Sequence, residues 1–102
     1  MRIIKVPFLV EEARKYPKAR KWIESWCAIA EKAHWQNIQE VRASYPSADP
    51  VRVKSGRAVV VFNVCGNDYR FIAAIHYNRS IIYTLRFMTH AEYSKDKWKN
   101  DL

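Results

Sequence analysis

Residues 58–88 read AVVVFNVCGNDYRFIAAIHYNRSIIYTLRFM, and this stretch decides the fold. Ala58 to Cys65 is rich in β-branched residues and predicts a strand. Gly66-Asn67-Asp68 predicts a tight hairpin, with Gly or Asn available for positive φ. Tyr69 to Tyr77 is the next strand, Asn78-Arg79-Ser80 the next turn, and Ile81 to Met88 the last strand. Such short connections make an antiparallel meander. Alternation places Tyr69, Phe71, Ala73, Ile75 and Tyr77 on one face and Arg70, Ile72, Ala74 and His76 on the other. In the last strand Tyr83, Leu85 and Phe87 oppose Thr84, Arg86 and Met88. The aromatic face is expected to meet helices, and the face bearing Arg70 and Arg86 to be more open.

Upstream, the period lengthens. Arg2 to Val6 predicts a first strand, and Pro7 sets φ for a short helix from Phe8 to Tyr16. Pro17 biases Tyr16 away from helix, so a break falls there. Ala19, Trp22, Ile23, Trp26, Cys27, Ala30 and Ala33 then form one apolar stripe, predicting a helix from Pro17 to His34. Asn37 and Glu40 resemble a capping box that opens a third helix to Ser44. Tyr45 to Pro50 is a loop, Val51 to Val53 a short strand and Lys54-Ser55-Gly56-Arg57 a turn. After the meander, Thr89-His90-Ala91-Glu92-Tyr93 opens a short basic helix. The expected architecture is α+β, one domain over residues 1–102. N-terminal helices pack on one face of a twisted, mainly antiparallel β-sheet, with a short C-terminal helix.

The chain of 102 residues carries a net charge of +8, which favours a polyanionic partner. Nucleic acid, an acidic protein and an anionic membrane share that sign. No run approaches the roughly 18 apolar residues of a membrane span, and Met1 to Pro7 lacks the apolar stretch of a signal peptide. No membrane partner is expected, and the expected location is the cytoplasm. Cys27 and Cys65 fit no zinc spacing and read as small hydrophobes. His34 and His76 are single histidines without a spaced second ligand, so no metal and no cofactor is expected. Gly56 and Gly66 are the only glycines, which excludes a glycine-rich phosphate loop.

Arg70 and Arg86 sit among apolar neighbours in the strands. A guanidinium there suits phosphate recognition; a salt bridge to Asp68 or Glu92 would be the ordinary alternative. His90 and Tyr93 lie three apart at a helix start and share a face. The imidazole can move protons near neutral pH, and the tyrosine can stack on a base or donate a proton. The plainer reading makes Thr89 and Glu92 a capping box and lets Tyr93 pack on the sheet. Lys54, Arg57, Lys95 and Lys97 are candidates to follow an RNA backbone. Lys15, Lys18, Arg20 and Lys21 crowd a helix N-terminus, where positive charge opposes the macrodipole, so they serve something other than the helix or are simply solvated.

The segment Val60 to Arg70, with Phe62-Asn63-Val64 leading into Gly66-Asn67, resembles the strand–turn–strand motif of HigB-type toxins. Thr89-His90-Ala91-Glu92-Tyr93 resembles that family's C-terminal Thr-His-x-x-Tyr element, and Pro46-Ser47-Ala48-Asp49 its Pro-Ser-x-Asp loop. Cys65 departs from the pattern, standing where Gly is common. The resemblance implies a RelE-like fold and the toxin of a type II toxin–antitoxin pair. It implies an mRNA interferase, usually acting on the translating ribosome; for that activity the residue types read above make Arg70, Arg86, His90 and Tyr93 the expected catalytic residues. The implied partner is a HigA-type helix-turn-helix antitoxin, through which the toxin reaches operator DNA. The wider superfamily also includes ParE-like gyrase poisons, and a non-catalytic RNA-binding module would carry the same charge.

Overall fold

The computed structural model describes residues 1–102. In chain order its elements are β1 (Arg2–Ile4), α1 (Val6–Lys15), α2 (Arg20–Lys32), α3 (Ile38–Ser44), β2 (Asp49–Arg52), β3 (Ala58–Val64), β4 (Tyr69–His76), β5 (Ile81–Thr89) and α4 (His90–Ser94). The sheet order is β1-β5-β4-β3-β2. Strands β2 to β5 pair antiparallel, and β1 joins β5 in parallel. The α+β class and the meander are as read.

Local chemistry moved several boundaries. The helix expected from Pro17 to His34 is a 3-10 turn over Pro17–Ala19 followed by α2. It stops at Lys32, where the amino group of Met1 donates to the carbonyls of Ala30, Glu31 and Ala33 at 3.0, 2.8 and 2.9 Å. Those carbonyls lie at or just past the helix end, where partners outside the helix are needed. Asn37 caps α3, accepting from the Glu40 N–H at 3.0 Å, whereas the Glu40 carboxylate accepts from Gln36 N–H at 2.8 Å, one residue before the cap. Pro50 falls inside β2, where an edge strand tolerates the missing N–H.

The β3–β4 hairpin takes positive φ at Cys65 (52°) and Gly66 (70°), and Asn67 is not part of that pair. Cys65 is therefore a non-glycine in the left-handed region, at the position the sequence pattern marked as unusual.

A β-bulge corrects the expected strand parity. Ile72 pairs with Arg86, but the next residue, Ala73, pairs with Thr84, so Leu85 has no partner. Thr84 consequently turns to the helix side, where it is buried and its hydroxyl lies 3.1 Å from the carbonyls of Ile4 and of Lys5. Tyr83, opposite Ala74, moves to the face that carries Arg70 and Arg86.

The helices cover the aromatic face, packing Leu9, Trp26 and Val41 onto Phe62, Phe71 and Ile82. Trp26 meets Phe71 edge-on, with ring centroids 4.7 Å apart. The opposite face was expected to be open, and half of it is not. Val59, Val61, Ile72 and Met88 make that half apolar, and Trp98, in the 3-10 turn Lys97–Asn100, closes it. The driving force is ordinary removal of apolar surface from water. Trp98→Ala should destabilise the fold by about 3 kcal/mol, read as a lower urea midpoint by circular dichroism. Trp98→Phe should lose much less.

Candidate functional site

Arg70 lies in β4 between Asn63 and Met88 and is 8% exposed. Its Nη1 donates to the Tyr69 carbonyl at 3.0 Å and its Nη2 to Asn67 Oδ1 at 3.1 Å. The guanidinium carbon stands 5.4 Å from the centre of the Tyr93 ring. None of the ion pairs in the structure involves Arg70. Neutral acceptors and a π face satisfy its donors without cancelling its charge.

Tyr93, in α4, also stacks on Trp98, with centroids 5.3 Å apart and planes 18° apart. The Trp98 indole N–H donates to the Tyr93 carbonyl at 3.2 Å. Burial pushes the phenol pKa up; Asp49 and Asp96 add to this, and Lys99 and Arg70 oppose it. The hydroxyl is therefore a proton donor at neutral pH. Its ring is engaged by Arg70 and Trp98, which leaves the hydroxyl as the group suited to a ligand.

Arg86 is half-buried and donates from Nη1 to the Leu85 carbonyl at 2.8 Å. It faces Ile72, diagonal to Arg70 across β4 and β5 on the same sheet face, a relation that separates residues by roughly 7–8 Å. Arg86 opens into a cleft of about 370 Å³ with Glu92, Lys95, Lys97, Trp98 and Asp101. Thus Arg70 and Tyr93 are in contact, and Arg86, Lys95 and Lys97 gather beside them. His90 is the exposed first residue of α4, held by its N–H to the Asp68 carbonyl at 3.1 Å, and its imidazole makes no hydrogen bond or ion pair. The capping box is present: Thr89 Oγ1 accepts from Glu92 N–H and donates to the Glu92 carboxylate, both at 3.2 Å.

Lys54 is exposed, and its N–H donates to the Lys99 carbonyl at 3.1 Å, tying the β2–β3 turn to the C-terminal segment. Arg57 lines a different cleft, of about 490 Å³, with His76 and Tyr83. Sequence reasoning treated His76 as structural and turned Tyr83 to the wrong face, because a bulge has no signature in a continuous run of strand-forming residues. The Lys15–Lys21 cluster lies on the helix side and is partly compensated. Lys18 pairs with Asp68, Arg20 with Glu24 at 3.7 Å, and Lys15 sits 5.3 Å from the Tyr16 ring centre. No three His, Cys, Asp or Glu side chains are grouped as metal ligands. No helix is long and apolar enough to cross a membrane.

Residues 19–96 match the family model of the HigB toxin, the RelE-like toxic component of a toxin–antitoxin system. The chain belongs to the HigB toxin family. The match takes in β3 to β5 and α4, and so Arg70, Arg86, His90 and Tyr93. The chain is 28% identical over 93 residues to the mRNA interferase toxin HigB of Escherichia coli K12, covering 91% of this chain and 88% of that protein. It is 30% identical over 93 residues to the mRNA interferase HigB of Escherichia coli O6:H1 strain CFT073, covering 91% of this chain and 87% of that one. As the toxic component of its system, a HigB chain has an antitoxin as partner.

One carboxyl beside the site titrates abnormally. Glu12, in α1, is pushed above the ordinary 4.5, chiefly by burial, with Lys15 opposing and Glu92 and Glu11 adding; its Oε2 has no hydrogen-bond partner. A raised carboxyl pKa penalises the native state once the group ionises, and the penalty vanishes as pH falls through that pKa. Glu12→Gln should therefore melt above wild type at pH 7, and the gap should narrow towards pH 4 in a pH series of thermal scans.

Proposed function

We propose that this chain is an mRNA endoribonuclease that halts translation by cutting messages on the ribosome, without a metal ion. The observation that carries the reading is the charged Arg70 beneath Tyr93 beside the cationic Arg86 cleft, in a chain of the HigB family. The ribose 2′-hydroxyl attacks the adjacent phosphorus, the bond to the 5′-oxygen breaks, and a 2′,3′-cyclic phosphate and a 5′-hydroxyl result. Arg86 grips the scissile phosphate and stabilises charge growing on its oxygens. Arg70 reinforces that field from below and holds Tyr93. The protonated Tyr93 hydroxyl donates towards the phosphate or the departing oxygen. His90, with its imidazole free, exchanges the proton of the attacking or leaving hydroxyl. Lys95 and Lys97 follow the backbone from the cleft, Lys54 and Arg57 from the far turn.

The same positive face suits an acidic segment of a HigA-type helix-turn-helix antitoxin, which would carry the toxin to operator DNA and cover the site while bound.

Arg86→Ala should lower cleavage roughly a hundredfold with the fold intact, read by transcript-end mapping after induction. Arg70→Ala should lower it at least as far and also lower the melting temperature, because that side chain is buried. Cleavage by purified toxin should persist in chelator and be stronger on ribosome-bound than on naked message. Intact transcripts with a DNA-damage response would instead point to a gyrase poison and end the nuclease reading.

A further inference from the structure

The non-helical sheet face is only half covered. Trp98 and Tyr93 close the half around Arg70 and Ile72, while beyond buried Ala74 the exposed His76 and half-buried Tyr83 leave the other half a cleft. There, Arg57, Ala74, His76 and Tyr83 line a cleft of about 490 Å³. His76 is exposed and meets Tyr83 edge-on, with centroids 5.2 Å apart and planes at 77°. Ala74, opposite Tyr83, is too small to fill the floor. An exposed imidazole against a half-buried tyrosine, beside an unpaired guanidinium, is poorly explained by packing, since burying either ring further would stabilise the fold more.

The bulge fixes where this cleft lies relative to the proposed cutting site. Arg86 faces Ile72 and Tyr83 faces Ala74, two positions along β4 on the same face. At about 3.4 Å per strand residue they are roughly 7 Å apart along the sheet. His76, opposite Ile81, lies a further two positions on. Without the bulge Tyr83 would point into the helix-side core.

We propose that the Arg57–His76–Tyr83 cleft is a nucleobase subsite. It takes a base of single-stranded RNA flanking the cut, stacked on Tyr83 with the His76 imidazole at the edge of the stack, and with the next phosphate on Arg57. Stacking on aromatic rings beside cations is how single strands are held with limited base selectivity. Arg86 handles the reacting phosphate, and this cleft sets which nucleotide neighbours it. The inference rests on the RNA-cleaving reading, and it makes Tyr83 and His76 specificity-determining.

The test uses purified toxin and short fluorescent RNAs with a single 2′-deoxy substitution at the cut position, bound but not cut. Tyr83→Ala should weaken binding roughly tenfold, more for a purine than for a pyrimidine at the flanking position, while Tyr83→Phe binds like wild type. Arg57→Gln, at an exposed position, should weaken both RNAs alike and flatten the salt dependence. A general structural defect would not separate purine from pyrimidine. Equal affinities for wild type, Tyr83→Ala and Arg57→Gln overturn the subsite. Wild type that binds these RNAs but leaves ribosome-bound message uncut ends the nuclease reading instead, and the subsite still stands or falls on the affinities.

Discussion

Strand β4 occupies the middle of the five-stranded order, and Arg70 to Ala74 are buried on both of its faces. A strand without a wet side needs two covers. The helices provide one, with Leu9, Trp26 and Val41 on the Phe71 side. The chain after β5 provides the other, with Trp98 on the Ile72 side. Because Trp98 must reach Ile72 and Met88, the segment that leads to it crosses the sheet. That path lays Tyr93 over Arg70 and brings Lys95 and Lys97 to Arg86. The demand for burial, not any catalytic requirement, positions the polar groups.

The two sides also treat charge differently. Three of the four ion pairs involve helix-side cations, Arg14 with Glu11, Lys18 with Asp68 and Arg20 with Glu24, and the fourth joins Lys99 to Asp96. Those pairs are exposed, so solvent screening leaves them little weight in stability. On the sheet face Arg57, Arg70, Arg86, Lys95 and Lys97 form no ion pair. Arg70 is the sharpest case, since a buried charge normally recruits an opposite one. Binding it through carbonyls, an amide and a ring keeps its donors satisfied and its field intact. A surface built to attract phosphate gains from cations that are held but not neutralised.

Much of this was legible in the amino-acid order. Short turns and β-branched runs gave the meander, Asn37 with Glu40 and Thr89 with Glu92 gave two helix starts, and Pro17 gave a break. What escaped was set by distant partners. The parallel pairing of β1 with β5 joins residues about eighty apart, and no local pattern announces it. The early end of α2 meets the amino group of Met1. The bulge at Leu85 comes with Thr84 reaching back to Ile4 and Lys5, which carries Tyr83 over. Within the site, residue types pointed to Arg70, Arg86, His90 and Tyr93. The contact of Arg70 with Tyr93 did not follow from them, because it depends on how the chain after β5 crosses the sheet.

Strand β5, which links β4 to β1, and the second cover of β4 both follow β4 in the chain. β1 must wait for β5 to pair, and Tyr93, Lys97 and Trp98 lie beyond β5. A polypeptide interrupted before that point can assemble the aromatic layer between the helices and β3–β4 but has nothing to lay across Ile72. Its anion-gripping surface would be unfinished and its apolar strand residues left wet. Removing the segment that carries Tyr93, Lys97 and Trp98 would therefore strip packing and positive charge from the same face at one stroke.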